Sequence, residues 1–325
     1  MTYIIKNIIY YTLFIQFFTL LIKAQRYCNG YENLCYKTYD DVVYPTTHNS
    51  YAVGKSYSSN QQLPIAQQLM DGIRGLMLDI FPYDDGSVHL CHTKCNDPLY
   101  LDAGDVIDTL SLIASFLEQN PNEIITLFFE NFSGNVPAYL VNDAFTRSGL
   151  INYVFTPTIP GQWPTLGEMI DTHQNVVVFT DKLFDPAYPW YLSLDQYVSY
   201  TNYVSLSNEY WNCDVKGGSG SLFLLYHMKH VQVLDYGYLP DSTIIDKTNS
   251  INGINEQTQF CERKVNYIAV DYYNHGDVIA FAAGLNGEDY KAVKKSKLVS
   301  GVQDITKYNK YINLVFLFIL SFLFI

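Results

Sequence analysis

The stretch that most constrains the fold is residues 72–81, an apolar run that is interrupted by one acidic residue, Asp79. A short acidic turn joins this run to a second apolar segment, residues 88–95, in which His92 lies between two cysteines. Such runs predict two neighbouring buried strands, because buried strands are apolar except where they carry a functional group. We therefore expect both strands to bring polar side chains to one mouth.

An upstream segment, residues 42–51, shows the same pattern of an apolar run followed by polar residues. Its apolar run ends at His48, which is followed by the hydrogen-bonding side chain of Asn49. Histidines titrate near neutral pH, so two of them in one site can serve as proton acceptor and proton donor. His48 and His92 therefore indicate acid–base chemistry of the kind that cleaves phosphodiesters.

The whole chain alternates strands and helices. We predict about seven strands, separated mostly by helices, which is typical of a parallel sheet and, at this length, of a TIM-type (β/α) barrel that is closed or nearly closed. The predicted strands lie near residues 42–46, 72–81, 88–92, 123–130, 176–182, 221–226 and 266–271, and the predicted helices near 63–70, 105–119, 137–150 and 277–285. The stretch from about 183 to 220 has no strong pattern and is interpreted as a surface insertion.

Polar residues recur at or near the carboxyl ends of these strands, the edge at which barrel enzymes assemble their active sites. The residues placed there are His48, Asp79, His92, Glu130, Lys182 and Asp271. So many polar groups at one edge are not expected by chance, and they define the candidate site.

Composition limits the partners. The formal net charge is −12 and the pI about 4.9, which argue against nucleic acid as a ligand because its binding depends on Lys and Arg. The hydrophobic share of 48% is ample for a large core, and we expect a monomer.

Both ends of the chain are apolar. Residues 1–25 are interpreted as a secretory signal peptide, with an uncleaved anchor as the alternative. Residues 301–325 are interpreted as a signal for a glycolipid (GPI) anchor, with a true tail anchor as the alternative. The barrel domain would then occupy residues 26–300, secreted or held at the extracellular face of the plasma membrane.

An exported chain meets an oxidising compartment, and its 6 cysteines form an even set. Local pairing, Cys28 with Cys35, Cys91 with Cys95 and Cys213 with Cys261, is the simplest of the 15 connectivities that are open. One glycosylation sequon begins at Asn131, directly after Glu130, where a glycan would crowd the proposed mouth.

Four features together resemble the X domain of phosphatidylinositol-specific phospholipases C. They are the His48-Asn-Ser-Tyr segment, the glycine-flanked strand that reaches Asp79, the strand that ends in His92, and Glu130 at the end of an apolar strand. The likeness is greatest to small secreted members without accessory modules. It covers about residues 40–285, but beyond Asn131 it rests on strand spacing alone.

The resemblance implies a two-step reaction on a phosphoinositide at a membrane surface. His48 would take the proton from the inositol 2-hydroxyl, which attacks phosphorus, and His92 would protonate the departing diacylglycerol oxygen. The product would be a cyclic inositol phosphate, which water can open with the roles reversed. Asp271 would orient His48, and Lys182 would contact the phosphate.

Calcium-using relatives place ligands at the positions of Asn49, Met77, Asp79 and Glu130. Since methionine is no ligand for calcium, one position is lost, although strand alternation keeps Met77 and Asp79 on one face. Metal-independent bacterial relatives carry an aspartate and an arginine at the positions of Met77 and Asp79. This sequence matches neither the calcium-using pattern nor the metal-independent pattern completely. We expect Ca²⁺ held by Asn49, Asp79 and Glu130, with waters completing the shell.

Two alternatives stay open. The lost ligand allows a catalytically inactive barrel that binds phosphoinositides or sugar phosphates, and a third reading keeps the catalysis but changes the head group. His89 competes with His92 for the catalytic position, but alternation points the two to opposite sides of a regular strand, and the resemblance favours His92. Arg74 lies opposite Asp79 by the same alternation and is interpreted as structural.

Overall fold

The computed structural model describes residues 26–54, 59–92, 95, 101–131, 135–159, 161–233 and 237–290. The predicted signal peptide (1–25) and C-terminal tail (301–325) lie outside these residues, so both remain predictions. Within the described ranges, no helix has the length and apolar character needed to cross a bilayer.

Strands and helices alternate through most of the chain. The strands are β1 Tyr44–Thr47, β2 Gly75–Pro82, β3 Val88–Cys91, β4 Asp102–Asp105, β5 Ile125–Glu130, β6 Val176–Thr180, β7 Tyr191–Ser193, β8 Val198–Thr201, β9 Val215–Gly217, β10 Leu222–Tyr226, β11 His230–Val233, β12 Gly237–Pro240 and β13 Tyr267–Val270. The helices are α1 Ile65–Asp71, α2 Val106–Gln119, α3 Ala138–Arg147, α4 Leu166–Asp171, α5 Leu194–Tyr197, α6 Ile245–Thr248, α7 Ile251–Thr258 and α8 Val278–Leu285.

The sheet is a curled, parallel barrel. In the part of the chain that the structure describes, eight strands pair in parallel in the order β7-β6-β5-β2-β1-β13-β10-β8. That path ends at β7 on one side and, beyond β8, at the antiparallel strand β9, so the barrel stays open between β7 and β8. The predicted nearly closed TIM-type barrel is confirmed.

Continuous apolar sequences explain the central strands, since a parallel strand is buried on both faces. In β2, β5, β6 and β10, alternate side chains enter two separate clusters. Met77, Phe128, Phe179 and Leu224 fill the barrel interior, whereas Leu78, Phe129, Val178 and Leu225 pack outward with the helices. Because the interior is packed with apolar side chains, the inward-facing polar groups are confined to the strand ends.

Two glycines shape the entry into β2. Gly72 ends α1 in the left-handed conformation, with φ 116°, and its N–H bonds to the carbonyls of Gln68 and Leu69. At Gly75, a Cβ atom would lie 2.2 Å from the Thr46 hydroxyl of β1. Gly72 is thus required by the end of helix α1, and Gly75 by the close approach of β1 and β2.

Two features of the predicted topology are wrong. The stretch from 183 to 220 is no insertion, because it contains β7 and β8, the two strands at the ends of the parallel strand order, and the edge strand β9. These strands are three or four residues long and rich in Tyr and Ser, too short to show a periodic pattern. In addition, β3 runs antiparallel to β2, so it forms a hairpin above the barrel rather than a strand of the barrel wall.

The three disulfides pair as predicted, Cys28 with Cys35, Cys91 with Cys95 and Cys213 with Cys261. The first two close short loops, with separations of 7 and 4 residues, while the third closes a separation of 48 residues. In the chain-entropy view, a longer loop restricts the unfolded chain more, so the third disulfide should stabilise the fold most.

Replacing both Cys213 and Cys261 with serine should therefore lower the free energy of unfolding by about 4 kcal/mol, against about 2 kcal/mol for either short-loop pair. Urea unfolding of the three double variants and the parent, without reductant, measures the order. An equal loss in all three variants would contradict this entropic ranking.

Candidate active site

The barrel topology brings the predicted site residues to one edge. Glu130, Lys182 and Asp271 end or follow the parallel strands β5, β6 and β13, while His48 follows β1 and Asp79 lies in β2. The strands run β6-β5-β2-β1-β13 around the barrel, so these side chains come from five consecutive strands. They share the mouth because parallel strands end at a common edge.

His48 and Asp271 form a buried pair in this mouth. Thr47 pairs with Val270 in the register of β1 and β13, which sets the next two residues side by side. His48 Nδ1 lies 2.8 Å from Asp271 Oδ1, and both side chains are buried. Since an ionised carboxylate only accepts hydrogen bonds, Nδ1 is the donor and Nε2 is left to face a substrate.

The protonation of His48 is set by opposing effects. Burial lowers its pKa, but the Asp271 carboxylate, with further contributions from Glu130 and Asp79, outweighs burial and leaves the pKa above the ordinary value of 6.5. The buried Gln61 side chain fixes the backbone beside this pair, because its Nε2 donates to the carbonyls of both His48, at 2.8 Å, and Val270, at 3.0 Å.

The hairpin delivers His92 to the same mouth. β2 continues beyond Asp79, and β3 returns along it with Ile80 paired to Leu90, so that His92 comes back to the level of Asp79. His92 Nδ1 lies 3.1 Å from Asn49 Nδ2 and 3.6 Å from Asp79 Oδ2. The antiparallel direction of β3 is thus what returns His92 to the rim.

The pKa of His92 is shifted in the direction opposite to that of His48. Burial, reinforced by the positive charge of His48, lowers the pKa of His92 to about 4. His92 is therefore neutral near pH 7 in the ligand-free protein, which agrees with Nδ1 accepting a hydrogen bond from Asn49. Positive charge on His48 therefore disfavours a second positive charge on His92.

Two carboxylates lie next to each other in this mouth, Asp79 buried and Glu130 partly exposed. Asp79 pairs with Glu130 in the register of β2 and β5. Burial raises the pKa of Asp79 well above its ordinary value, and the charge of Glu130 adds to this. Burial also raises the pKa of Glu130, although His48 and Lys182 oppose the effect. A cation between the two carboxylates would remove this mutual repulsion.

The donor set fits a hard divalent cation. Asp79 Oδ2 accepts a hydrogen bond from the Tyr51 hydroxyl at 3.0 Å. Asp79 Oδ1 and Asn49 Oδ1 are both buried, and neither has a hydrogen-bond partner among the residues that the structure describes. Carboxylate and amide oxygens are the ligands that Ca²⁺ prefers. Met77, which faces inward one step below Asp79, is buried in the apolar interior and gives no ligand.

Lys182 lies at the outer part of the site. Its side chain is exposed after β6, and its charge lowers the pKa of Glu130 and of Asp181, both of which burial raises. Asp181 Oδ1 accepts a hydrogen bond from the backbone N–H of Asn131 at 2.8 Å. Lys182 therefore offsets the acidic groups Glu130 and Asp181 at the rim.

Sequence reasoning missed three residues near the histidines. The Tyr203 ring meets His48 edge-on with a centroid separation of 5.2 Å, and it also lies 5.4 Å from His230. His230, which no sequence pattern singled out, is 1% exposed, and neither ring nitrogen has a hydrogen-bond partner among the described residues. Asn60, in a loop rich in Ser, Asn and Gln, donates to Asp271 Oδ1 at 2.9 Å. The only signal for Asn60 was that cluster of amides.

The residues that competed for a role lie elsewhere. His89 stacks on Tyr83 at 4.0 Å and contacts Asp102 at 3.0 Å. Its surroundings bring His89, Cys91, Cys95 and Asp102 together, but the two sulfurs are joined in a disulfide and therefore hold no metal. Arg74 forms an ion pair with Glu123 at 2.7 Å and donates to two backbone carbonyls, which supports its structural interpretation.

The sequon residue Asn131 is enclosed by the fold. Its side chain is 0% exposed, Nδ2 donates to the Val136 carbonyl, and Oδ1 accepts from the Val136 N–H. The folded chain therefore does not present this amide to a modifying enzyme, and the structure gives no support for use of this sequon.

Comparison with known proteins extends these observations. Residues 34–286 match the family PI-PLC X 1. A protein of the fungus Arthroderma benhamiae, named PI-PLC X domain-containing protein 1, is 31% identical over 277 residues, which cover 80% of this chain and 89% of the relative. An uncharacterized secreted protein of the same fungus is 28% identical over 293 residues, which cover 82% of this chain and 65% of that protein.

Solved structures share the fold at low sequence identity. Phosphatidylinositol-specific phospholipase C from Staphylococcus aureus superposes with a TM-score of 0.54 at 13% identity, covering 78% of this chain and 94% of the enzyme. The enzyme from Listeria monocytogenes gives a TM-score of 0.50 at 13% identity, with 77% and 94% covered. The family match spans most of the chain and agrees with the motifs around His48, Asp79, His92 and Glu130, so the chain belongs to the PI-PLC X domain family.

Proposed function

We propose that this protein is a phosphodiesterase that cleaves phosphatidylinositol, or a glycolipid built on it, by two-histidine acid–base chemistry. One observation carries the proposal: His48 and His92, delivered by different strands, meet in one buried mouth together with the carboxylate that orients His48. Two imidazoles in one site can serve as proton acceptor and proton donor, which suits a reaction in which one proton is removed and another supplied.

In the proposed reaction, His48 Nε2 takes the proton of the inositol 2-hydroxyl. The hydroxyl oxygen forms a bond to phosphorus, and the bond from phosphorus to the diacylglycerol oxygen breaks as His92 protonates that oxygen. An anionic phosphodiester beside His92 favours its protonated form, which lets Nδ1 turn from Asn49 to the Asp79 carboxylate, 3.6 Å away. Lys182 is proposed to contact the phosphate from the rim.

We also propose that Asn49, Asp79 and Glu130 hold a Ca²⁺ ion. When bound, the ion would supply positive charge for the phosphoryl oxygens, where charge builds during the reaction. The assignment is supported by the buried oxygens of Asn49 and Asp79, to which no group in the described part of the chain donates a hydrogen bond. With Met77 at the fourth family position, the protein would supply three ligand side chains and water the remainder.

A second candidate is a barrel that binds phosphoinositides or sugar phosphates without turnover. Met77 favours it, because an apolar side chain fills the place of a ligand. We place either activity outside the cell, since three disulfides suit an oxidising compartment. A glycolipid anchor stays a prediction from the tail sequence.

The first prediction concerns the base. His48→Ala should lower turnover of phosphatidylinositol by about 10²- to 10⁴-fold, because the 2-hydroxyl loses its proton acceptor. The assay follows release of cyclic inositol phosphate from mixed micelles. His89→Ala is the matched control, because His89, in β3, also pairs with a carboxylate, that of Asp102 in β4. Full turnover in His48→Ala would refute the mechanism, and no turnover in the parent with Ca²⁺ or chelator would favour the binding barrel.

The second prediction concerns the cation. Adding Ca²⁺ at 100 times its dissociation constant should stabilise the parent by about 2.7 kcal/mol, because only the folded state offers the site. Asp79→Asn should abolish that stabilisation and make the metal-free protein more stable, since it removes one of two repelling carboxylates. Thermal unfolding with Ca²⁺ or chelator measures both effects, with Asp102→Asn as control. No Ca²⁺ effect on the parent would count against the proposed site.

A further inference from the structure

A continuous set of side-chain hydrogen bonds joins the two histidines. Asp271 Oδ1 contacts both His48 Nδ1, at 2.8 Å, and Asn60 Nδ2, at 2.9 Å. Asn60 Oδ1 lies 3.1 Å from Asn49 Nδ2, and the same nitrogen of Asn49 lies 3.1 Å from His92 Nδ1. One carboxylate is thus linked to the ring of His48 directly and to the ring of His92 through two amides.

The direction of each hydrogen bond in this set is fixed by Asp271. An ionised carboxylate only accepts, so the atom of Asn60 that faces it must be the NH₂ group, and the carbonyl oxygen of Asn60 must face Asn49. That oxygen accepts from the NH₂ group of Asn49, whose second hydrogen is then directed at His92 Nδ1. Nδ1 of His92 must therefore be the unprotonated nitrogen of the neutral ring, and its proton must be on Nε2.

We infer that Asn60 is a positioning residue that, through Asn49, fixes His92 in the tautomer with its proton on Nε2. The same carboxylate holds the proton of neutral His48 on Nδ1, so the two rings present opposite capacities to the mouth. Nε2 of neutral His48 can accept a proton, and Nε2 of His92 carries the proton that the ring donates once it has gained a second proton on Nδ1. The inference rests on the proposed function for its catalytic meaning, but the tautomer can be measured without turnover.

The surroundings of Asn60 support a rigid role. The side chain is 5% exposed, its backbone N–H donates to the Ala52 carbonyl at 2.9 Å, and its carbonyl accepts from the Tyr272 N–H at 2.7 Å. Asn60 is thereby held between the segments that follow β1 and β13, the strands that precede His48 and Asp271. A residue fixed from both sides can transmit the polarity of one carboxylate without reorienting.

The test uses the full chain labelled with ¹⁵N in its histidine side chains, with His92 assigned by comparison with His92→Ala. Nitrogen chemical shifts near pH 7 report which ring nitrogen carries the proton. We expect the parent to hold the proton of His92 on Nε2 and Asn60→Leu to show a mixture of tautomers. Asn175→Leu is the control, because Asn175 is an equally buried amide that donates to the carbonyls of Pro121 and Glu123.

Turnover gives the second measurement. With phosphatidylinositol in mixed micelles, Asn60→Leu should lower kcat by about 10- to 100-fold while KM changes less than about threefold, since the loss affects proton donation rather than binding. Asn175→Leu should change neither kcat nor KM by more than about threefold.

Three results would overturn the inference. The parent could carry the His92 proton on Nδ1, a measurement that does not depend on any variant folding. Asn60→Leu could keep the parent tautomer, or its kcat could match that of Asn175→Leu. If the parent turned over no phosphodiester at all, the proposed function would fail, while the nitrogen shifts would still decide whether Asn60 sets the tautomer of His92.

Discussion

The arrangement of this site depends on the parallel register of β1 with β13. Because Thr47 pairs with Val270, the residues that follow are neighbours, and a buried carboxylate meets a buried imidazole at 2.8 Å. The carboxylate of Asp271 orients His48 and accepts a hydrogen bond from the amide of Asn60. Through Asn60 and Asn49 it is linked to the second histidine. A shift of one residue would turn every side chain of β1 to the other face and separate both histidines from Asp271.

The mouth concentrates acidic groups that ordinary folding would avoid. Asp79, Glu130, Asp181 and Asp271 all lie at the ends of neighbouring strands, and burial raises the pKa of the first three. A protein with a net charge of −12 gains nothing in stability from such crowding. The cost is understandable if the carboxylates serve cationic partners, which here are the imidazole of His48, the amine of Lys182 and the proposed metal.

Sequence alone predicted the barrel and most of its inner strands, because strands such as β5 and β6 are uninterrupted apolar runs that no solvent-exposed element would have. It also placed His48, Asp79, Glu130 and Asp271 at one edge, since parallel strands share that edge. It failed at β7 and β8, which are too short to be periodic, and at β3, whose direction depends on a tight turn. Asn60 and His230 were missed because their roles arise from contacts between segments far apart in sequence.

The gap between β7 and β8 lies across the barrel from β1 and β2, which stand in the middle of the parallel strand order. Each strand of the catalytic side is therefore held by hydrogen bonds along both of its edges, and the weakest lateral link is on the far side. Thermal breathing of the wall would start there and leave the spacing of the imidazoles nearly unchanged. The fold thus separates the place where the wall can yield from the place where distances must be kept.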